Sequence, residues 1–231
     1  MLLPGPPQGQ YPQVPGVGCA QRVPPPPALK STSTMPSIKT YHTDIPGVIV
    51  IEPQPIGDQR GYFAETYRAA VLDAAIGRHI EFVQENQSKS RRGVIRGLHF
   101  QCGAAAQGKL VRAVSGSVLD VAVDLRRGSP SFGRYVAVEL TGDNMRQLWV
   151  PRGFAHGFAV LSDEAVFQYK CDSYYQPEAE AAVAWDDLDI GIDWRTAPAQ
   201  ALLSDKDRRH PRLRDIPADV LFDYTQDLYA L

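Results

Sequence analysis

The chain is poor in two features that would each define a protein class, cysteine and long apolar runs. It has three cysteines in 231 residues, Cys19, Cys102 and Cys171, and none is in C-x-x-C spacing. The odd number and the spacing argue against a disulfide framework or a zinc knuckle and predict free thiols in a reducing compartment. No apolar run approaches the length of a membrane span, and prolines from Pro4 onward interrupt any signal-peptide core.

The chain also lacks an excess of charge of either sign. It has 24 lysines and arginines against 26 aspartates and glutamates, for a net charge of −2. This balance argues against an extended basic surface for nucleic acid, so any cationic site must be local, as it usually is for a small anionic ligand. We therefore expect a cytoplasmic protein with no nucleic-acid partner and no membrane partner.

The first 36 residues form a proline-rich leader. They hold ten of the chain's 19 prolines, including the run Pro24 to Pro27, together with four glycines. Such a composition predicts a disordered or polyproline-II-like segment, because it cannot bury enough apolar surface to offset its ordering entropy. A ligand for a proline-binding module is an alternative, and so is a translation start at Met35. The predicted folded domain spans residues 37–231 and becomes more polar after about residue 202.

The rest of the chain reads as a series of short β-prone runs separated by turn signals such as Gly57-Asp58 and Gly142-Asp143-Asn144. Many strands at this spacing with almost no helix predict an antiparallel β-sandwich or barrel. Two helices are expected, at Ala69–Ile76 and near Ala218–Phe222. The predicted strands are Val48–Glu52, Tyr62–Tyr67, Phe82–Gln87, Val94–Gln101, Leu110–Val114, Val118–Leu125, Tyr135–Leu140, Gln147–Val150, Phe154–Leu161 and Ala165–Ser173.

The strand Val118–Leu125 alternates between two kinds of side chain. Four aliphatic residues share one face, and Asp120 and Asp124 lie on the other. The acid-bearing face could lie on the surface, which is the commoner case, or line a wet cavity inside a barrel. The sequence leaves both interpretations open.

The segment Phe154–Cys171 has the pattern of a β-hairpin. With a short turn at its centre, the register places His156 opposite Tyr169 and Phe158 opposite Phe167. An imidazole and a phenol would then face each other near the open end of an aromatic face. Two core residues satisfied by hydrogen bonds are the plainer alternative.

The stretch 91–112 is the strongest candidate for a functional site. It places Arg96, His99, Lys109 and Arg112 among glycines and short apolar runs, with no acidic residue between them. A histidine beside fixed cations on strands can bind an anion and move a proton next to it. A solvated basic edge strand with an incidental histidine is the alternative.

Eight motifs, taken together and in order, resemble the dTDP-4-dehydrorhamnose 3,5-epimerase family over about residues 46–207. They are GDQRG (57–61), FVQENQS (82–88), GVIRGLHFQ (93–101), QGKLVR (107–112), VLDVAVDLR (118–126), RQLWVPRGFAHGF (146–158), QYKCDSYY (168–175) and LSDKD (203–207). The resemblance implies a mainly β, cupin-like antiparallel jelly-roll barrel with a few short helices. It also implies an isomerase of dTDP-rhamnose biosynthesis that inverts C3 and C5 of a dTDP-4-keto sugar without a cofactor or metal.

The resemblance also implies roles for individual residues. His99 would be the general base, oriented by Asp207; Lys109 would stabilise the enolate oxygen and Tyr169 would be the acid on the opposite face. Asp120 matches an acid inside the barrel. The positions that match substrate contacts are Arg60, Glu65, Gln84, Asn86, Arg96, His156, Tyr175, Glu180 and Lys206. Members of the family are homodimers, which leads us to expect that residues early in the chain complete the partner's site.

One geometric conflict arises within these roles. Strict strand alternation puts Arg96 and His99 on opposite faces, although both should reach the substrate. A β-bulge at Gly97 would bring them to one side.

Three other functions are compatible with parts of this pattern. A metal-dependent cupin could use His99 and His156 as ligands, but the usual H-x-H pair is missing and nearby cations would repel a divalent ion. A silent sugar-nucleotide binder need not keep His99, Lys109 and Tyr169 together. An epimerase that acts on C3 alone or C5 alone, for another deoxysugar, stays open.

Overall fold

The computed structural model describes residues 37–230, and strands are their main regular secondary structure. The proline-rich leader lies outside the described residues. The one α-helix, α1, spans Ala69–Ile76 as predicted, and no described helix is long and apolar enough to cross a membrane. The strands are β1 (Ser37–His42), β2 (Ile49–Gln54), β3 (Ile56–Asp58), β4 (Gly61–Phe63), β5 (Gln84–Arg91), β6 (Ile95–Gln101), β7 (Lys109–Ser115), β8 (Ser117–Asp124), β9 (Arg126–Arg127), β10 (Tyr135–Thr141), β11 (Gln147–Val150), β12 (Phe154–Val160), β13 (Glu164–Cys171), β14 (Glu180–Ala182) and β15 (Phe222–Asp223).

Two antiparallel sheets form a sandwich. One sheet has the strand order β1-β2-β11-β7-β13-β5, and the other has the order β10-β8-β12-β6-β14. Apart from β1 and β2, neighbouring strands in each sheet are not consecutive in the sequence, as in a jelly roll, because the chain passes back and forth between the two sheets. The predicted fold class is confirmed.

The predicted helix near Ala218–Phe222 is wrong. The chain makes a turn after Pro217 and then forms β15, which pairs in parallel with β9. Five residues are too few to nucleate a helix alone. The backbone N–H of Phe222 donates to the carbonyl of Leu125, and the Phe222 ring packs on Phe100 with a centroid distance of 5.8 Å.

Both faces of β8 are buried. The aliphatic face packs under the C-terminal segment, in a cluster that includes Trp194, Leu213 and Ile216. The other face points between the sheets, where Asp120 is fully buried beside aliphatic and aromatic side chains. The acid-bearing face is therefore buried, so the surface interpretation is wrong, although neither Asp120 nor Asp124 lines the cleft described below.

The predicted hairpin at Phe154–Cys171 is also wrong as a strand pairing. β12 lies between β8 and β6, whereas β13 lies between β7 and β5 in the other sheet. The connection cannot fold back as a tight turn because its backbone is bonded to neighbouring strands, with Leu161 N–H donating to the Ser117 carbonyl at 2.9 Å.

The inward-facing side chains of these two strands nevertheless meet across the interior. The rings of Phe158 and Phe167 stack with their centroids 4.2 Å apart, and the His156 ring lies 6.1 Å from that of Phe167. The alternation of side chains therefore predicted correctly which residues share a face of each strand, although the predicted pairing of the two strands was wrong.

The predicted bulge in β6 is confirmed. His99 pairs with His156 and Arg96 pairs with Phe158, so two residues of β6 oppose the single Gly157 of β12. The extra residue brings Arg96 and His99 to the same side. Gly97 has φ +120°, and a Cβ there would lie 2.6 Å from the Gly157 Cα and 2.7 Å from the His156 carbonyl oxygen.

We expect Gly97→Ala to destabilise the fold strongly, because the added methyl meets backbone atoms that cannot rotate away. Gly61→Ala is the matched control, since Gly61 has φ +129° and its Cβ would have no atom within 4 Å. The Gly97 variant should lose about 1–3 kcal/mol more unfolding free energy than the control. Urea denaturation measures both, and equal losses would show that the close approach does not constrain the bulge.

Candidate active site

A cleft of about 320 Å³ opens between the two sheets at one end of the sandwich. Strands of both sheets and the segment after β14 contribute to its walls. Ten of the predicted site residues line it, namely Asn86, Arg96, His99, Lys109, His156, Tyr169, Tyr175, Glu180, Lys206 and Asp207. The structure therefore brings together residues that are up to 121 positions apart, the distance in sequence from Asn86 to Asp207.

His99 and Asp207 form a close pair on one wall. His99 Nε2 lies 2.6 Å from Asp207 Oδ1, which leaves Nδ1 as the ring nitrogen that can accept a proton. Ser204 fixes the carboxylate, because its hydroxyl donates to Oδ2 at 2.8 Å and accepts from the Asp207 N–H at 3.1 Å. Burial alone would raise the pKa of Asp207, but the hydrogen bonds from His99 and Ser204 outweigh it and lower the pKa to about 2. An ionised carboxylate is thus held against the imidazole.

The lowered pKa of Asp207 predicts a pH-dependent contribution to stability. A carboxyl whose pKa falls on folding stabilises the folded state fully above its unfolded pKa, and the effect disappears as the pH falls through the folded value. The unfolding free energy of the native chain should therefore exceed that of Asp207→Asn at neutral pH, and the gap should close between about pH 4 and pH 2. Urea titrations at a series of pH values test this, and a constant gap would contradict it.

Lys109 lies on the opposite wall, at the start of β7. It is 8% exposed, and burial lowers its pKa although Cys171, Asp172 and Asp120 favour the charged form. Such a desolvated ammonium interacts with a nearby anion far more strongly than a surface lysine does. The position suits stabilisation of negative charge that develops on a bound molecule.

Tyr169 is on β13, in the sheet opposite His99. Its strand neighbours are Val111 on β7 and Asn86 on β5. Burial raises the pKa of the Tyr169 hydroxyl, so the group keeps its proton at neutral pH. The cleft therefore has a proton acceptor on one wall and a proton donor on the other.

A second histidine–carboxylate pair supports the floor of the cleft. His156 Nε2 lies 2.9 Å from Asp120 Oδ2, and both side chains are almost completely buried. Burial raises the pKa of Asp120, although His156 acts in the opposite direction. Asp120 does not line the cleft itself, so it acts behind His156.

The rim of the cleft carries a connected set of polar groups. Tyr175 donates its hydroxyl to Glu180 Oε2 at 2.6 Å, and the ammonium of Lys206 donates to the same oxygen. Gln84 accepts a hydrogen bond from the Tyr175 backbone N–H at 2.9 Å, so it acts behind the rim. The bond to Glu180 also raises the pKa of Tyr175 to about 12. Tyr175 is 47% exposed, which leaves its ring available for stacking.

The family model for dTDP-4-dehydrorhamnose 3,5-epimerase matches residues 42–215. This chain belongs to that family. Curated relatives bearing the same name include the protein of Shigella flexneri, which is 54% identical over 71% of this chain and 90% of its own length. The protein of Pseudomonas aeruginosa is 50% identical over 77% of this chain and 97% of its own length.

Solved structures of family members have the same fold. The dTDP-6-deoxy-D-glucose-3,5-epimerase of Legionella pneumophila, in complex with dTDP-4-keto-L-rhamnose, is 45% identical. It has a TM-score of 0.78 and covers 82% of this chain and 100% of its own. A 3'-monoepimerase from Streptomyces bikiniensis, in complex with dTDP-quinovose, is 34% identical with a TM-score of 0.72 over 79% of this chain and 92% of its own.

Arg60 and Glu65 do not lie at the cleft of this epimerase-family chain. Arg60 is at the tip of the β3–β4 hairpin, where its Nε donates to Asp58 Oδ1 at 3.1 Å. Glu65 accepts from Arg68 Nε at 2.8 Å. Neither residue is among those that line the cleft.

The sequence did not predict several groups that line or support the cleft. Ser204 could have been predicted from the sequence, because serine side chains often form local hydrogen bonds with residues a few positions away, here Asp207. His210 packs edge-on against His99 with ring centroids 5.7 Å apart, and its Nε2 lies 3.3 Å from Asp207 Oδ1. Only the turn that begins at Asp207 brings it there. The other unpredicted lining residues are Gln87, Ser88, Phe100, Gln101, Gln107, Gly157, Phe158 and Phe167.

Proposed function

We propose that this chain inverts C3 and C5 of dTDP-4-dehydro-6-deoxy-glucose to give dTDP-4-dehydro-L-rhamnose. The observation that carries the proposal is the placement of a paired base and a protonated phenol on opposite walls of one cleft, with a buried lysine on β7, the strand beside the one that holds the phenol. Inversion next to a ketone needs these three functions, because the proton leaves one face of the sugar and returns to the other.

His99 is the base in this proposal. Its Nδ1 takes the proton from the carbon next to the C4 ketone while Nε2 stays bonded to Asp207. The ionised carboxylate then stabilises the imidazolium that forms, in the way that a triad carboxylate does. The substrate's own ketone accepts the negative charge as an enolate, so the step needs no metal and no redox cofactor.

Lys109 and Tyr169 complete the reaction. The ammonium of Lys109 stabilises the enolate oxygen at C4, where a preorganised charge in a dry site has its largest effect. Tyr169 then donates its proton to the carbon from the opposite face, which inverts the centre. The same groups serve C3 and C5 because both carbons are next to the same ketone.

The rim holds the nucleotide part of the substrate. Tyr175 offers a partly exposed ring for stacking on the thymine, and Arg96 and Lys206 offer positive charge to the diphosphate. Asn86, His156 and Glu180 line the cleft and contact the sugar or the nucleotide, with Gln84 holding Tyr175 in place. We also propose a cytoplasmic location, with which the free thiols of Cys102 and Cys171 agree.

Solvent exchange tests the proposed reaction. The purified protein is incubated with dTDP-4-dehydro-6-deoxy-glucose in deuterated water, and NMR follows both carbons next to the ketone. Deuterium at C3 and C5 with inversion of both is the expected result. Exchange at one carbon would place the protein with the single epimerases, and exchange at neither would mean that it does not catalyse this reaction.

We further propose that the protein is a homodimer in which Arg60 and Glu65 complete the partner's cleft. The β3–β4 hairpin that carries Arg60 exposes Tyr62 by 64% and Phe63 by 67%. Neighbouring aromatic side chains with this much exposure are typical of a surface that a partner covers.

Mixed dimers test this sharing of residues. Arg60→Ala and His99→Ala chains should each have low activity alone. When the two are mixed and allowed to exchange subunits, one cleft of each mixed dimer would regain both native residues, so activity should rise to at least several times that of either parent. No recovery in dimers shown to have exchanged would mean that Arg60 acts in its own cleft or in none.

A further inference from the structure

His99, Asp207 and His210 place three metal-binding atoms close together. The two histidine nitrogens and a carboxylate oxygen all lie within 4.8 Å of one another. Both Nε2 atoms approach the same oxygen, Asp207 Oδ1, at 2.6 Å for His99 and 3.3 Å for His210. Two imidazoles and one carboxylate are a set of ligands that zinc accepts, with the fourth position left for water or another small molecule.

His210 supplies a second observation that points to a ligand. Its Nε2 is buried and has no hydrogen-bond partner among the described residues, despite its closeness to Asp207. A buried polar atom without a partner costs about 1–3 kcal/mol, so it is unusual in a well-packed protein. The nitrogen thus points into the cluster and faces the Asp207 carboxylate at 3.3 Å without forming a regular hydrogen bond to it.

The distances fit a tetrahedral ion after a small movement. Two ligand atoms that are each about 2.0 Å from a tetrahedral Zn²⁺ are about 3.3 Å apart. The contact between His210 Nε2 and Asp207 already has this length, and the contact with His99 must lengthen from 2.6 Å. His99 is 34% exposed and faces the cleft, so its ring has room to move.

The local charges also permit a cation. The Lys206 ammonium beside the cluster donates to Glu180, so its charge is partly compensated there. Lys109 faces other carboxylates as well, those of Asp172 and Asp120. The repulsion of a divalent ion by nearby cations, which the sequence predicted, therefore acts mainly elsewhere in the cleft.

We propose that His99, Asp207 and His210 bind one Zn²⁺ ion and that this binding inhibits the enzyme. The ion would replace the proton that His99 shares with Asp207 and occupy the carboxylate. The proton displaced from Nε2 would move to Nδ1, because a neutral imidazole that binds a metal through one nitrogen carries its proton on the other. Nδ1 would then have no lone pair to accept the substrate's proton, so proton removal would stop. The inhibitory effect rests on the function proposed above, whereas the binding does not.

Calorimetry on the full chain, after treatment with a chelator, tests the binding without reference to activity. We expect one Zn²⁺ per chain, with no comparable binding of Mg²⁺. His210→Gln should weaken the affinity at least about tenfold, because one of three protein ligands is lost. His79→Gln is the matched control, since His79 is also paired with an aspartate, at 2.7 Å from Asp73, but lies on the surface outside the cluster.

Several outcomes would overturn the proposal. The native chain is measured first. If it does not bind one Zn²⁺ per chain in a saturable way, the site does not exist, whatever the variants do. Equal affinities of the native chain and His210→Gln, with His210→Asn as a second variant checked for folding, would place the ion elsewhere. Binding without loss of epimerisation would retain the site and reject its inhibitory role. An inactive protein that still binds Zn²⁺ would contradict only the proposed function.

Discussion

Replacing His99 with alanine is expected to lower kcat for epimerisation by about 10²- to 10⁴-fold, the usual contribution of a general base. The loss should appear in kcat more than in KM, because the imidazole acts on the proton in transfer while the rim holds the nucleotide. Deuterium should no longer enter C3 or C5, since His99 is the imidazole that both lines the cleft and is bonded to Asp207. NMR of the substrate in deuterated water, together with steady-state rates, measures both effects.

Tyr169→Phe is the informative contrast to this variant. It leaves the base in place and removes the donor on the opposite wall, so the enolate should form and be reprotonated from the face that it left. Exchange should therefore continue without inversion. His79→Ala, which removes a surface histidine paired with Asp73, should behave as the native chain does. Rapid epimerisation by His99→Ala would assign the base to another residue.

Replacing Lys109 with methionine is expected to lower kcat by about 10²- to 10³-fold, as the loss of one group that stabilises an oxyanion does. Exchange at C3 and at C5 should fall together, because both enolates place their charge on the same C4 oxygen. The substitution keeps the length of the side chain and removes its charge. Rates of exchange at the two carbons, measured separately, test this shared dependence.

Stability should change in the opposite direction from activity in this variant. Burial lowers the pKa of Lys109 in the folded state. Below the ordinary pKa of a lysine, the unfolded chain therefore holds this proton more tightly than the folded chain, and the difference destabilises the folded state. Lys109→Met should therefore have an equal or higher Tm at neutral pH. Lys89→Met, at an exposed lysine paired with Glu164, should leave activity unchanged. A marked fall in Tm for Lys109→Met would show that packing and not charge was lost.

The sequence predicted the fold class and most of the cleft, and it did so through two kinds of signal. Alternation along β8 put Asp120 and Asp124 on one face, and alternation along β12 put His156 and Phe158 on one face; the structure has both faces buried. The conflict between Arg96 and His99 required a bulge at Gly97, which the pairing with β12 shows. Such local patterns hold because the side-chain period of a strand is fixed by its backbone.

The pairing between strands was harder to predict from the sequence. The short link between β12 and β13 resembles a hairpin turn, yet its backbone bonds go to β8 and the strands join different sheets. The local sequence does not determine which strand each of them pairs with, because the pairing depends on the other strands that the rest of the chain provides. His210 was missed for a related reason, since only the turn at Asp207 directs its ring towards His99.

The stacked pair of Phe158 and Phe167 has a consequence for the spacing between the two walls of the cleft. These rings, 4.2 Å apart, keep a fixed gap between the sheet that carries His99 and the sheet that carries Tyr169. The distance between the proposed base and the proposed acid thus depends on this apolar packing as well as on the two reacting groups. We expect a change in the size of these rings to alter that distance while every reacting side chain stays the same.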